Sequence, residues 1–327
     1  RKGHVMNSEG RKELAIKVAK MYYINGESQE KIAELTGMSR SNISRILKKC
    51  LDEGIVEITV HDTISVRMKL AHSIQTAFGL KEVIIVHSAP APDRIYRNVG
   101  QSLSVYLMKI LKDGMTLGVG RGRASYYIGR NLNNKQHILV DVVQLQGATS
   151  STASLDEGAG MIYYLTSKLN GKGYVLNAPL MVKSKHTQQE LMNSDLIAGI
   201  LKKYHELDVA VFEIEKPNLY VNNRSAQDLL SKADILQLGE IGVSACVCGH
   251  YFTEKGKTCN VGIHDRVLAI PPELLKKVPY SIGISIGKFA LSATLSILKA
   301  GLVNVLIIDE NLATQIDIHL QSAGNSD

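Results

Sequence analysis

The feature that most constrains this chain is a spacing. Ser28 opens a short apolar-periodic segment, Thr36-Gly37-Met38 interrupts it, and Ser39 opens a second one. Ile32, Ala33 and Leu35 give the first segment an apolar side, while Ile43, Ile46, Leu47 and Cys50 fall at i, i+3, i+4 and i+7 in the second. A serine hydroxyl before the first helical residue satisfies an orphan amide, and a glycine between two helices lets the chain turn sharply. Two short helices joined this way predict a helix-turn-helix. An upstream helix through Leu14, Val18, Met21 and Tyr22, stopped at Asn25-Gly26, adds a third side to the small core. After Asp52-Glu53-Gly54, Ile55 to Val60 alternates as a strand and is expected to form a wing.

Turning the apolar stripe of the third helix inward leaves Arg40, Ser41, Ser44, Arg45, Lys48 and Lys49 mostly outward, and no acidic residue lies between Leu35 and Leu51. A basic, hydroxyl-rich helix presented by its N-terminus suits the major groove of DNA. Arg40 and Arg45 reach guanine edges or phosphates; Ser39, Ser41 and Ser44 reach phosphates or bases; Lys48 and Lys49 read as phosphate contacts. Ser28, Gln29 and Asn42 complete the candidate DNA-binding set. Charge runs are usually only solvated, and residues 1–62 carry nearly as many acidic as basic side chains. The inference rests on helix length, glycine, capping serine and local charge agreeing.

Beyond Val66 the texture changes. A helix from Val66 to Phe78 carries Leu70, Ile74 and Phe78 on one stripe and is expected to link the two parts of the chain (1–62, 63–82 and 83–327). Apolar runs at Val83–Val86, Met115–Val119, Ile138–Leu145, Val209–Ile214, Arg266–Ile270, Ser281–Ile286 and Val303–Ile308 then alternate with helical stretches. These include Ile95–Ile110, Met161–Leu169, Leu191–Tyr204 and Phe289–Ala300. Buried runs without strict alternation, separated by helices, predict a mainly parallel sheet covered on both faces. The fold class is α/β, with a winged-helix-like head and a larger Rossmann-like domain.

With 327 residues, 45% of them hydrophobic, the chain has enough material for two cores. The net charge of +7 permits a polyanionic partner without demanding one. No segment approaches the ~18 uncharged apolar residues of a membrane helix, and no signal peptide is read at the N-terminus, so a cytoplasmic protein is expected. The four cysteines are too few and too uneven for a disulfide framework. Cys246, Cys248 and His250 alternate as on one face of a strand, where a soft metal is conceivable. Buried thiols acting as small hydrophobes explain them more simply, so no metal is expected.

Arg11 to Tyr23, Ser28-Gln-Glu-Lys-Ile-Ala, Gly37-Met-Ser-Arg, Ile43-Ser-Arg-Ile-Leu and Glu53-Gly-Ile-Val-Glu-Ile resemble the N-terminal domain of the SorC family of bacterial transcriptional regulators. The resemblance continues, more loosely, through Leu117-Gly-Val-Gly-Arg-Gly-Arg, Val143-Gln-Leu-Gln-Gly, Asn177-Ala-Pro and Asp309-Glu-Asn-Leu-Ala. It implies a second domain built like sugar-phosphate isomerases that senses a small sugar-type effector, usually phosphorylated: a sugar, polyol or sugar phosphate. It also implies double-stranded operator DNA as partner, a homo-oligomer (dimer or tetramer), and no cofactor.

The residues themselves point to the same region. Gly120, Arg121, Gly122 and Arg123 lie where a strand gives way to a helix, a turn whose amides favour an anion. Gly147, Thr149 and Ser150 follow a second strand, and Asp309 ends a third, so all are expected at the carboxyl edge of the sheet. Lys288 joins them. Three positions depart from the family pattern: Cys246 replaces an aspartate, Arg121 an aromatic residue and Ala290 a lysine. Lys288 supplies that amine from a neighbouring position, or the pocket takes a different ligand. The glycines make no dinucleotide fingerprint read from Gly118, because Arg123 takes the third position. Read from Gly120, Ser125 stands there with Asp141 at a suitable distance. Gly283 to Lys288 is one residue short of a Walker loop. The alternative to a ligand-gated regulator is a sugar-phosphate isomerase-like enzyme with an accessory DNA-binding head, using Asp156, Glu157, Asp309 or His264-Asp265 as its base.

Overall fold

The helix-forming spacings near the N-terminus fold as their caps dictate. In the computed structural model, which describes residues 8–56, 63–135, 137–149, 158–217, 230–287 and 289–324, helix α1 covers Ser8–Ala19 and continues as one wide turn, Lys20–Ile24. Helices α2, Gln29–Thr36, and α3, Arg40–Asp52, follow. Ser28 accepts the Lys31 amide at 3.2 Å and Ser39 accepts the Asn42 amide at 3.2 Å. Gly37 ends α2 with φ 67°, a left-handed conformation that costs glycine least. Val18, Ile32, Ile43 and Leu47 meet in one small core, where Cys50 is also buried. The expected wing strand, beyond Val56, lies outside the described residues.

The chain divides into two compact units, Arg1–Thr63 and Ile64–Asp327. The expected linker helix, α4 at Thr63–Phe78, packs as part of the second unit: Ile74 is fully buried in its core and Ser73 donates to Asp317 at 2.8 Å.

The second unit is built on a seven-stranded sheet. In chain order its strands are β1 (Glu82–Val86), β2 (Thr116–Val119), β3 (Val140–Gln144), β4 (Asn170–Tyr174), β5 (Val209–Glu213), β8 (Tyr280–Ser285) and β9 (Val305–Asp309). Between β5 and β8 the chain forms an antiparallel hairpin, β6 (Val243–Val247) with β7 (His250–Thr253). The sheet order is β1-β9-β8-β5-β2-β3-β4, and every pairing is parallel. Alternate residues serve opposite cores: Val209 and Val211 face one, Ala210 and Phe212 the other, and Val305/Ile307 and Leu306/Ile308 repeat the division. Both faces are thus dry, as the continuous apolar runs require.

Three local expectations change in the structure. Arg266–Ile270 is no parallel strand. It crosses near the end of β3 in isolated antiparallel bridges, Gln146 with Ala269 and Met181 with Val267, before Pro271-Pro272 stops it. Leu191–Tyr204 is not one helix: Asn193 ends Lys185–Met192, and Asp195–Tyr204 starts afresh after Ser194. The run through Cys246, Cys248 and His250 is not one strand either. Cys248 (φ 47°) and Gly249 (φ 78°) make the hairpin turn, so His250 lies on the returning strand opposite Val247. Strand β4, with the polar sequence Asn-Gly-Lys-Gly-Tyr, was not expected at all.

Candidate functional site

In the first unit, α3 buries Ile43, Leu47 and Cys50 and leaves Ser39, Arg40, Ser41, Asn42, Ser44, Arg45, Lys48 and Lys49 exposed. Ser28 is exposed and Gln29 half-buried at the start of α2. The ten sequence-selected residues therefore frame the outer face of α3 and the N-terminus of α2. Two cations are opposed by carboxylates that the sequence reading did not weigh. Glu30 of α2 holds Arg40 at 2.8 Å, and Glu53 holds Lys49 at 3.4 Å. Both pairs are exposed, worth ~0–1 kcal/mol, and open to exchange with phosphates. The Arg45 guanidinium donates to the Asn42 side-chain oxygen one turn earlier, which steers it along the N-terminal half of the helix. Ser39 and Ser41 hydroxyls lie 3.0 Å apart beside it.

In the second unit, the chain runs outward from β2 to β3 and β4, then returns to β5 on the other side of β2. The reversal opens a crevice at the carboxyl ends of β2 and β5, where open α/β sheets collect ligands. The turn Gly120 to Arg123 lies there, leading from β2, which follows helix α5 (Pro92–Ile110), into helix α6, Arg123–Asn131. Gly122 adopts φ 152°, a region nearly reserved for glycine, and a side chain there would overlap the Glu213 carboxylate. Glu213, the last residue of β5, accepts the Ala124 amide at 3.1 Å. Gly120 donates its own amide to Val211 at 2.8 Å. Arg121 pairs with Glu215 at 2.9 Å, and the Arg123 guanidinium lies over the Tyr96 ring at 5.6 Å.

A cavity of about 290 Å³ opens here, lined by Tyr96, Glu213, Glu215, Lys216, Ile284 and Ile286. Burial pushes the Glu213 carboxyl up to about 7, with Glu215 adding to the rise, while the Ala124 amide and Arg121 and Arg123 oppose it. Burial also raises the Tyr96 hydroxyl to about 12. A second niche of about 10 Å³, the scale of one water, joins Arg121 to Gly147, Thr149, Gln144 and Gln146. The structure thus brings Gly120–Arg123, Gly147 and Thr149 to one edge. The Gly147 amide is already donated to Leu268 at 2.9 Å, so this glycine supplies close packing against Pro179 more than a hydrogen bond outward.

Asp309 ends β9 at zero exposure and accepts the Gly287 amide at 2.6 Å, the Leu312 amide at 3.0 Å and the Ser88 hydroxyl at 3.3 Å. It anchors the edge from beneath. Ser150 and Lys288 lie outside the described residues, as do Asp156 and Glu157. His264 accepts the Tyr251 amide of the hairpin at 2.9 Å, and Asp265 pairs with Lys185 of the helix Lys185–Met192 at 3.3 Å. All four cysteines are buried as free thiols, and among the described residues no three His, Cys, Asp or Glu side chains converge as a metal set would. Tyr96, Glu213 and Glu215 also line this edge without standing out in the sequence. The only signal for the last two was a pair of acids, Glu-Ile-Glu, closing an apolar strand run.

A basic reading head and a switch-point crevice in a parallel sheet together define a transcriptional regulator that joins a helix-turn-helix to a sugar-binding domain. Residues 25–57 match the family "Winged helix-turn-helix DNA-binding", and residues 62–316 match the "Putative sugar-binding domain" family. The chain belongs to the SorC family of sugar-binding transcriptional regulators. It is 28% identical over 314 residues to the deoxyribonucleoside regulator of Bacillus subtilis, covering 93% of this chain and 96% of that one. It is 24% identical over 305 residues to the sorbitol operon regulator of Klebsiella pneumoniae, covering 92% and 96%. The crystal structure of the full-length Klebsiella regulator shares its fold, with a TM-score of 0.71 over 95% of this chain and 100% of that one at 23% identity. A transcriptional regulator from Streptococcus pneumoniae gives a TM-score of 0.72 over 80% and 100%, also at 23% identity. Among the described residues no helix is long and apolar enough to cross a membrane.

Proposed function

We propose that this regulator controls a carbohydrate-utilisation operon from the cytoplasm, binding operator DNA through α3 and a small carbohydrate effector in the β2/β5 crevice, with no cofactor and no catalytic turnover. The observation that carries this reading is the cavity beside Tyr96, Glu213 and Glu215, placed at the topological switch point of a sheet whose chain also bears an exposed basic recognition helix. The sorbitol operon regulator and the deoxyribonucleoside regulator among its relatives favour a carbohydrate effector. The isomerase alternative is less well supported, because both Asp309 oxygens accept backbone amides and His264 Nε2 accepts the Tyr251 amide.

One recognition helix covers too little DNA for tight specific binding, so a homo-oligomer presenting two heads is part of the proposal. Effector binding needs a differential affinity of only ~1–3 kcal/mol between two head arrangements to change operator occupancy. The test is fluorescence anisotropy of the full chain on a duplex selected from random oligonucleotides, titrated with sugars, polyols and their phosphates. A salt-sensitive preference for one sequence, shifted by one carbohydrate class, supports the reading. Uniform binding to all duplexes, unmoved by any carbohydrate, overturns it.

A further inference from the structure

The turn between β2 and α6 has the form of an anion seat: glycines on a strand end, a helix start, and two arginines. In this protein the seat is already filled. The Glu213 carboxylate accepts the Ala124 amide at the start of α6, pressed so closely on Gly122 that no side chain fits between them. The cations that would attract a second anion are also engaged from within. Arg121 is bonded to Glu215 at 2.9 Å and Arg123 lies on the Tyr96 ring. The Gly120 amide is spent in the sheet, bonded to Val211 of β5.

We propose that Glu213 is a built-in anion occupying the turn at residues 120–124, so that the adjoining cavity takes an uncharged polyhydroxyl ligand and excludes its phosphorylated counterpart. This rests on the effector reading given above and narrows it. Two carboxylates beside one cavity are acceptors for hydroxyl donors, and the Tyr96 hydroxyl both donates and accepts. Ile284 and Ile286 supply an apolar wall for a carbon skeleton. At about 290 Å³ the cavity sits at the lower end of small-molecule sites, which run from ~300 Å³ upward. A phosphate brought to the same turn would meet two carboxylates at close range and find the helix terminus taken. Among the described residues, Lys216, exposed at the rim, is the one cation lining the cavity.

The experiment measures thermal shift and calorimetric binding on the full chain at pH 8, where Glu213 is mostly ionised. The probes are inorganic phosphate, a panel of neutral hexoses and hexitols, and the 6-phosphates of the same compounds. For the natural chain, a neutral member of the panel is expected to bind at least tenfold tighter than its 6-phosphate, with no stabilisation by inorganic phosphate. Glu213→Gly removes the internal anion, and inorganic phosphate and the 6-phosphates are expected to gain at least tenfold. Glu213→Gln, which keeps the side chain's volume and an acceptor for Ala124, guards against a folding defect and is expected to narrow the discrimination against 6-phosphates.

A 6-phosphate that binds the natural chain more tightly than its neutral parent overturns the proposal. So does failure of both variants, folded by circular dichroism, to gain affinity for any phosphate. The two readings fail separately. If neutral polyols release the operator but neither variant gains phosphate binding, the assignment of Glu213 falls and the regulatory reading stands. If Glu213→Gly gains phosphate binding while no carbohydrate alters DNA affinity, the filled seat stands and the regulatory reading falls.

Discussion

Asp309 at the end of β9 accepts the Gly287 amide from the loop after β8 at 2.6 Å, fixing two neighbouring strand ends to each other. Its other oxygen accepts the Leu312 amide, so the same carboxylate also caps the following helix, Glu310–Gly324. A buried charge held by three donors is worth keeping only while all three stay paired. Asp309→Ala leaves the buried Leu312 amide and the half-buried Gly287 amide unsatisfied and is expected to destabilise the protein by roughly 3 kcal/mol, with a loosened crevice edge. Asp309→Asn retains an oxygen for one amide and should cost less. Urea denaturation of both variants checks the order; an Asp309→Ala protein as stable as the natural one contradicts the anchoring role.

Glu213 makes stability depend on pH in an unusual direction. Its folded-state value is about 7, whereas an unfolded glutamate titrates at ~4.3. Between those values the folded chain holds a proton that the unfolded chain has released. The contribution of this group is therefore fully favourable below ~4.3 and is lost as pH rises through 7, by roughly 2–3 kcal/mol allowing for partial exposure. Arg121, Arg123, Glu215 and Tyr96 face it and set the remainder of the balance. His250 and His264, both lowered by burial, act oppositely at low pH, so the difference between the natural chain and Glu213→Gln is the relevant quantity. Melting temperatures from pH 5 to 8 should show Glu213→Gln gaining on the natural protein as pH rises. A constant gap across that range rules the linkage out.

The division between what was legible in the sequence and what was not follows the range of the interactions. Ser28, Gly37 and Ser39 act on amides within three residues of themselves, so the reading head could be read locally. The apolar runs of β5, β8 and β9 announced strands because a doubly covered sheet must be apolar throughout. Strand β4 carried no such signal: it is an edge strand, mostly solvated, with two glycines. Arg266–Ile270 had a strand's composition, but composition does not name a partner, and its partners are antiparallel bridges. The role of Glu213 was hidden for the same reason. Its pairing with the turn after β2 depends on β5 returning beside β2, a fact of strand order across some ninety residues.

The two kinds of contact expected of α3 can be separated. On the proposed reading Arg45, bonded to Asn42, contacts a base edge, and Arg45→Ala should cost ~1–3 kcal/mol on the preferred duplex and relax preference at one position. Lys48, exposed in the second half of the helix, reads as a phosphate contact. Lys48→Ala should weaken all duplexes alike and reduce the slope of log affinity against log salt by ~1. Glu30→Gln frees Arg40 and should tighten binding slightly at low salt. Anisotropy across a salt series on specific and scrambled duplexes measures all three. Unchanged affinity in both cation variants excludes α3 as the reading surface.

Gly122 and Glu213 should behave as one unit. Gly122→Ala introduces a methyl into the space of the Glu213 carboxylate at a φ of 152°, so two costs combine: backbone strain of ~1–3 kcal/mol and displacement of the carboxylate from the start of α6. Glu213→Ala removes the obstacle but leaves the strain. In the double variant the second cost is no longer incurred twice, so the two substitutions should be less than additive by ~1 kcal/mol or more. The cycle is measured by denaturant unfolding at pH 8, where Glu213 is mostly ionised and the Ala124 contact is charge-assisted. Additive effects within ~0.3–0.5 kcal/mol would mean that the glycine and the carboxylate do not share the turn.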